Sequence, residues 1–208
     1  MRVDMHQASY ENVIPHLSFM GVNFLIRLTV PATGDELKSL KAGDKVLITG
    51  TIYTGRDAAH KRMAEAVERG EVLPVDLKGQ IIYYVGPCPP KPGMAVGPAG
   101  PTTSSRMDRY APLMMKEAGL RGMIGKGYRS EEVRRAVVDT GSVYFVATGG
   151  AAALISCSIK EAEVVAYEDL GTEAIWRFKV EDFPATVGID SCGNDIYKLN
   201  ESTYASVL

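Results

Sequence analysis

The sequence predicts an α/β domain with a mixed central sheet and flanking helices. Three observations carry this expectation. Through the middle of the chain, apolar β-branched runs ending in Gly-containing turns alternate with helix-prone segments, the order that gives strand–loop–helix units. Further strand-like runs precede and follow that middle, so the sheet should be mixed rather than purely parallel. The chain has 208 residues, 46% hydrophobic and 23% charged, enough for one large apolar core.

The elements follow in order. Residues 1–22 show weak periodicity and are expected to be an arm or extension, with a single domain over 23–208. The alternation in Asn23–Pro31 predicts a strand, and Leu37–Gly43 reads as a polar loop. Lys45–Tyr53 is a strong strand, ended by Thr54-Gly55. Asp57 then suits an N-cap, and Ala58–Arg69 is helical, with Ala59, Met63, Ala66 and Val67 on one face and Gly70 as the stop. Gln80–Val85 is a strand closed by Gly-Pro-Cys-Pro-Pro-Lys-Pro-Gly, which can continue neither ladder nor helix. Arg106–Ala118 reads as a helix stopped by Gly119, and Gly122–Gly127 as a short strand entering a glycine turn. Ser130 caps a helix whose first turn carries Glu131 and Glu132. Val143–Ala147 is a buried strand, and Thr148-Gly-Gly-Ala-Ala-Ala opens a small-residue helix or turn. Glu163–Tyr167, Ile175–Val180 and Ala185–Asp190 are three later strands.

Composition excludes several function classes. A formal net charge of −2 without a Lys/Arg block argues against a nucleic-acid surface. No apolar run approaches the roughly 20 residues of a membrane span. Met1–Met20 lacks the apolar stretch of a signal peptide, so a cytoplasmic location is expected. Cys88, Cys157 and Cys192 are odd in number and widely spaced, which argues against a disulfide framework. Three thiolates could hold an iron–sulfur cluster, but no supporting motif is present and buried free thiols are the preferred reading.

Three turns carry the chemistry. Gly100-Pro-Thr-Thr-Ser-Ser-Arg-Met107 places Thr102, Thr103 and Arg106 between a rigid Gly/Pro loop and an expected helix start, where backbone N–H groups favour an anion. Arg106 offers a planar fork that matches a carboxylate. Arg56, in Thr54-Gly-Arg-Asp57, sits where a strand meets a helix and serves either as a carboxylate clamp or as a partner of Asp57. His60 lies one turn on, facing the site or satisfied in the core. Lys126 stands between two glycines, free to reach a ligand or simply solvated on a tight turn. The spacing is neither a P-loop nor a dinucleotide fingerprint. Two arginines and a lysine around two threonines imply a ligand of roughly two negative charges, such as a C4 dicarboxylate. Neither a Ser/His/Asp order nor a carboxylate pair stands near these turns, so acid/base chemistry is incomplete here.

At these residues the chain resembles a known family. Thr49-Gly-Thr-Ile-Tyr-Thr-Gly-Arg-Asp-Ala-Ala-His-Lys-Arg62, Gly100-Pro-Thr-Thr-Ser-Ser-Arg-Met-Asp108 and Gly125-Lys-Gly127 together resemble the β subunit, or C-terminal domain, of class I fumarate hydratases and the related L-tartrate dehydratase β subunit. The resemblance spans roughly residues 37–194. It implies a swivelling β/β/α domain. It also implies a substrate site built from Arg56, Thr102, Thr103, Arg106 and Lys126, with Thr102 as the proposed catalytic base. The family's [4Fe–4S] cluster is carried by an α partner, so this chain is expected to bind no cofactor itself and to work in a hetero-oligomer such as α2β2. The reaction implied is reversible hydration of fumarate to L-malate; dehydration of L-tartrate to oxaloacetate stays open, as does a non-catalytic dicarboxylate-binding module. The Tyr53–Lys61 string, with alanines after Asp57, favours the fumarase form.

Overall fold

The computed structural model describes residues 25–148 and 152–199; the expected arm over 1–22 lies outside them. Four successive parallel pairings join β1 (Leu25–Val30), β2 (Lys45–Thr54), β3 (Ile81–Tyr83), β4 (Gly122–Gly125) and β5 (Val143–Val146). The last strand, β7 (Ile175–Ile189), runs antiparallel to three others: β2, β5 and β6 (Ile159–Ala166). Residues of β7 that pair with β2 on one edge pair with β6, then with β5, on the other. The sheet therefore returns to β2 and folds over on itself.

That return creates two cores. Along β3 and its continuation, Ile81, Tyr83 and Val85 face a core between the two sheet layers, with Ile48 and Ile52 from β2 and Phe178 and Phe183 from β7. Ile82 and Tyr84, the alternate residues, face a second core shared with α2 (Asp57–Glu68), α3 (Ala111–Lys116) and α4 (Glu131–Thr140). A strand buried on both faces reads as an unbroken apolar run, as Ile-Ile-Tyr-Tyr-Val does. The layers are thus sheet, sheet and helix, a mixed α/β architecture of the expected class.

Several elements differ from expectation. Overlapping the start of the loop expected over Leu37–Gly43, α1 (Gly34–Ser39) forms because Thr33 and Glu36 make a reciprocal capping box, and Leu37 and Leu40 are buried. Asp57 is the first residue of α2 rather than its cap; Arg56 occupies the cap position without a side-chain cap bond. The helix expected over Arg106–Ala118 is broken into a 3-10 turn (Ser104–Met107) and α3, because Pro112 can only sit in a helix's first turn. The two expected late strands are one fifteen-residue β7. Pro184 is tolerated there because it pairs with Leu47 of β2 between the end of the β6 ladder at Val180 and the start of the β5 ladder at Thr186. The small-residue helix is α5 (Ala152–Ser158). All three cysteines are exposed, not buried.

Candidate functional site

The carboxyl ends of the parallel strands β2, β3 and β4 bring the three turns together, as open α/β sheets do with their ligand loops. Backbone hydrogen bonds tie one strand's exit to the next. Gly55, after β2, donates to the Tyr83 carbonyl at 3.1 Å. Thr102 donates to the Tyr84 carbonyl at 2.7 Å, and Ser104 to the Lys126 carbonyl at 2.9 Å. Thr103 and Lys126 form an isolated parallel bridge. The Thr-Thr loop thus comes back from the proline loop to lie against the turn after β4. Glycines permit this closeness: a Cβ on Gly125 would fall inside contact distance of Ser104 Oγ and 2.9 Å from Tyr84 Cδ2.

The cations are arranged around carboxylates. Arg106 binds Asp57 with two nitrogens, Nε to Oδ1 at 2.9 Å and Nη2 to Oδ2 at 2.7 Å. Arg56 lies 3.9 Å from the same carboxylate and 3.5 Å from Glu173 Oε1. Lys126 is exposed and has no ion-pair partner among the described residues. Thr102 is half-buried and Thr103 exposed. Three cations against two carboxylates leave one formal positive charge on this wall. The two negative charges expected of a ligand therefore do not follow from the cation count, because Asp57 and Glu173 already neutralise part of the clamp.

Two other readings change. The Thr-Thr loop runs into a single 3-10 turn rather than an α-helix, so its anion affinity rests on side chains, not on a helix dipole. His60 is fully buried, and its ring packs against Tyr84 and Tyr110 at centroid distances of 5.3 and 6.2 Å. Its Nδ1–H donates to the Arg56 carbonyl at 2.9 Å. Burial pushes its pKa down to about 4. His60 is a neutral core residue that shapes the Arg56 turn from beneath; it does not face a ligand.

Beneath the turns lies a buried polar cluster that the sequence did not reveal. The Arg129 guanidinium is fully buried between the rings of Tyr84 and Tyr144, 5.3 and 4.9 Å from their centroids. Its Nε donates to Asp108 Oδ1 at 2.7 Å, while Asp108 Oδ2 accepts the Ser130 N–H. The Tyr144 hydroxyl bonds Ser104 Oγ and donates to the Gly127 carbonyl, both at 2.9 Å. This cluster joins the elements that carry Thr102, Thr103, Arg106 and Lys126. Glu173 was also missed: it lies 115 residues from Ala58, whose N–H it accepts, and nothing local marks it. Arg129 did carry a local hint, as an arginine between a glycine turn and a helix cap.

The three cysteines lie in different parts of the fold. Cys88 follows β3, Cys157 lies in α5 and Cys192 follows β7. Among the described residues no three His, Cys, Asp or Glu side chains gather as a metal site. No described helix is long and apolar enough to cross a membrane.

Comparison with known proteins gives the family. The model for "Fumarase C-terminus" matches residues 5–200. Fumarate hydratase 2 of Leishmania major is 37% identical over 199 residues, 94% of this chain but 35% of the relative. The anaerobic class I fumarate hydratase of Escherichia coli K12 is 42% identical over 164 residues, 78% of this chain and 30% of the relative. The chain thus spans about a third of these enzymes. A Methanocaldococcus jannaschii protein provisionally named L(+)-tartrate dehydratase subunit beta is 39% identical over 178 residues, 83% of this chain and 91% of that protein. With the family model covering nearly its whole length and the motif turns gathered at one end of the sheet, the chain belongs to the fumarase C-terminus family.

Proposed function

We propose that this chain is the cluster-free half of a two-part hydro-lyase and that, with an α partner carrying a [4Fe–4S] cluster, it catalyses the reversible hydration of fumarate to L-malate. The observation that carries this reading is the convergence of Arg56, Thr102, Thr103, Arg106 and Lys126 at the carboxyl ends of β2, β3 and β4. A relative named as a β subunit is matched over 91% of its own length, which supports a two-part arrangement in this family. The sheet–sheet–helix layering suits a domain that swivels over its partner.

In this reading a cluster on the partner supplies Lewis acidity at the substrate hydroxyl. The residues of this chain bind and orient. Arg106 and Arg56, which also pair with Asp57 and Glu173, take one substrate carboxylate, and the hydroxyls of Thr102 and Thr103 flank it. Thr102 moves the proton at the substrate carbon. Its hydroxyl is a poor base unless cations stabilise the alkoxide, and Lys126, on the strand bridge beside Thr103, is exposed and has no ion-pair partner among the described residues.

L-Tartrate is the second reading, favoured by the near full-length match to the tartrate dehydratase relative. Co-expression of this chain with a cluster-bearing partner, followed by assays on both substrates, separates them. Fumarase predicts the higher kcat/KM on fumarate and malate; a higher value on L-tartrate reverses the assignment. A stable complex without activity on either would leave only dicarboxylate binding.

A further inference from the structure

We propose that Glu173 is a positioning residue that aims the Arg56 guanidinium into the site, an inference that rests on the binding role given to Arg56 above. Glu173 ends a 3-10 turn (Glu168–Glu173) that no sequence motif connects with the site. Its two carboxylate oxygens do different things. Oε2 accepts the Ala58 N–H at 3.0 Å, one of the unsatisfied donors at the start of α2, and so supplies the cap that Arg56 lacks. Oε1 lies 3.5 Å from Arg56 Nη2.

The remaining surroundings of Arg56 leave it few alternatives. Its Nε is buried and has no hydrogen-bond acceptor. Asp57 is farther, at 3.9 Å, and accepts a hydrogen bond from Arg106 Nε on its other oxygen, with Arg106 Nη2 2.7 Å from the Oδ2 that faces Arg56. Arg56 also lies against Gly86, where an added Cβ would fall 2.8 Å from Nη1 and 3.1 Å from the Thr172 carbonyl oxygen. The backbone that carries Glu173 is itself fixed. The Thr54 hydroxyl donates to the Ala174 carbonyl at 3.4 Å and accepts the Trp176 N–H at 3.0 Å, and Ala174 and Ile175 are buried. Thr54 and Arg56 leave the same strand, so one end of β2 both anchors the Glu173 segment and carries the side chain that Glu173 steers. An ionic partner at 3.5 Å, nearer than the other carboxylate at 3.9 Å, sets where this guanidinium's fork points.

The test is a double-mutant cycle in the enzyme reconstituted with its cluster-bearing partner. Glu173→Gln keeps a carbonyl for the Ala58 N–H but removes the charge facing Arg56. It should lower kcat/KM about tenfold, mainly through KM, and in an Arg56→Ala background it should change kcat/KM by less than about twofold. An equal loss in both backgrounds would mean that Glu173 acts only as a helix cap or through the fold, and would overturn the proposal. A crystal structure of the Glu173→Gln chain gives a readout independent of activity: Arg56 should leave its place against Gly86, and an unmoved guanidinium overturns the proposal even if the reconstituted wild type proves inactive. Inactivity of the wild type would count against the functional reading alone.

Discussion

Gly125→Ala is the most economical perturbation of the candidate site, because it adds one methyl group where two site-bearing elements touch. The new Cβ would stand inside contact distance of Ser104 Oγ and 2.9 Å from Tyr84 Cδ2. Neither neighbour can yield easily. Ser104 is held through its backbone N–H on the Lys126 carbonyl at 2.9 Å and through its hydroxyl on Tyr144 at 2.9 Å, and Tyr84 is fully buried. Overpacking of this kind costs about 1–3 kcal/mol, and displacing Ser104 forfeits a buried hydrogen bond of about 1 kcal/mol. The total, roughly 2–4 kcal/mol, corresponds in a chain of this size to a fall in Tm of roughly 5–15 °C. The displacement also separates Thr103 from Lys126, and a misplacement near 1 Å can cost about a hundredfold in rate. Thermal unfolding of the purified chain and kcat/KM of the reconstituted enzyme read the two effects. Adding Ser104→Gly should recover part of the Tm loss by removing the Oγ. A Gly125→Ala protein with wild-type Tm and activity would refute the packing argument and the site built on it.

Three further outcomes follow. Arg106→Ala or Lys126→Ala in the reconstituted enzyme should lower kcat/KM at least tenfold, about 1.4 kcal/mol, and near-wild-type kinetics would remove that residue from the clamp. Arg129→Met should destabilise the chain by about 3 kcal/mol in urea unfolding, the low end for breaking a buried pair, because Asp108 keeps the Ser130 N–H and some solvent; a change below about 1 kcal/mol would contradict a central role for the buried cluster. His60 binds its proton more readily unfolded than folded, since its pKa falls from 6.5 to about 4 on burial. Its contribution is complete above pH 6.5 and is lost as the pH falls toward 4, about 2 kcal/mol between pH 7 and 5. Comparing the urea midpoints of wild type and His60→Phe at those two pH values tests this; the variant should lack that share of the acid sensitivity.

What the sequence made legible was local. Ser130 predicts its helix because its hydroxyl accepts the Val133 N–H three residues on, and Gly141 ends it in the left-handed region at φ 66°. The β-branched run Lys45–Tyr53 predicts β2 to within a residue. The motif turns were legible for a related reason: each follows a strand, and a parallel sheet places such exits at one edge. The rest depends on contacts far apart in the chain. The reading of two strands around Pro184 failed because the residues that excuse a proline there belong to β2, β5 and β6. The partial neutralisation of the clamp was not legible in the sequence, because the cations are counted there without Glu173, and with Asp57 only as an alternative partner of Arg56. His60, at the right spacing to face the turn, faces inward because Tyr84 and Tyr110 close over it.

The same geometry limits what this chain can do alone. The Arg106 side chain is 48% exposed, and Lys126 and Thr103 are exposed too. Charge pairs in such surroundings contribute about 0–1 kcal/mol each, against about 1.5–3 kcal/mol for charged hydrogen bonds shielded from water. Two solvent-facing cations, Arg106 and Lys126, supply at most about 2 kcal/mol toward a dicarboxylate, and the mostly buried Arg56, shared with Glu173, about 1.5 kcal/mol more, less than the roughly 4 kcal/mol that a millimolar Kd requires. The purified chain should therefore bind fumarate or L-malate more weakly than 1 mM in an NMR titration, with shifts confined to the residues around Arg56, Thr102 and Lys126. Substantially tighter binding by the chain alone would show that water is already excluded from this wall. Weak binding alone and tight binding in the complex would place the missing part of the affinity in the covering of these exposed cations by a second surface.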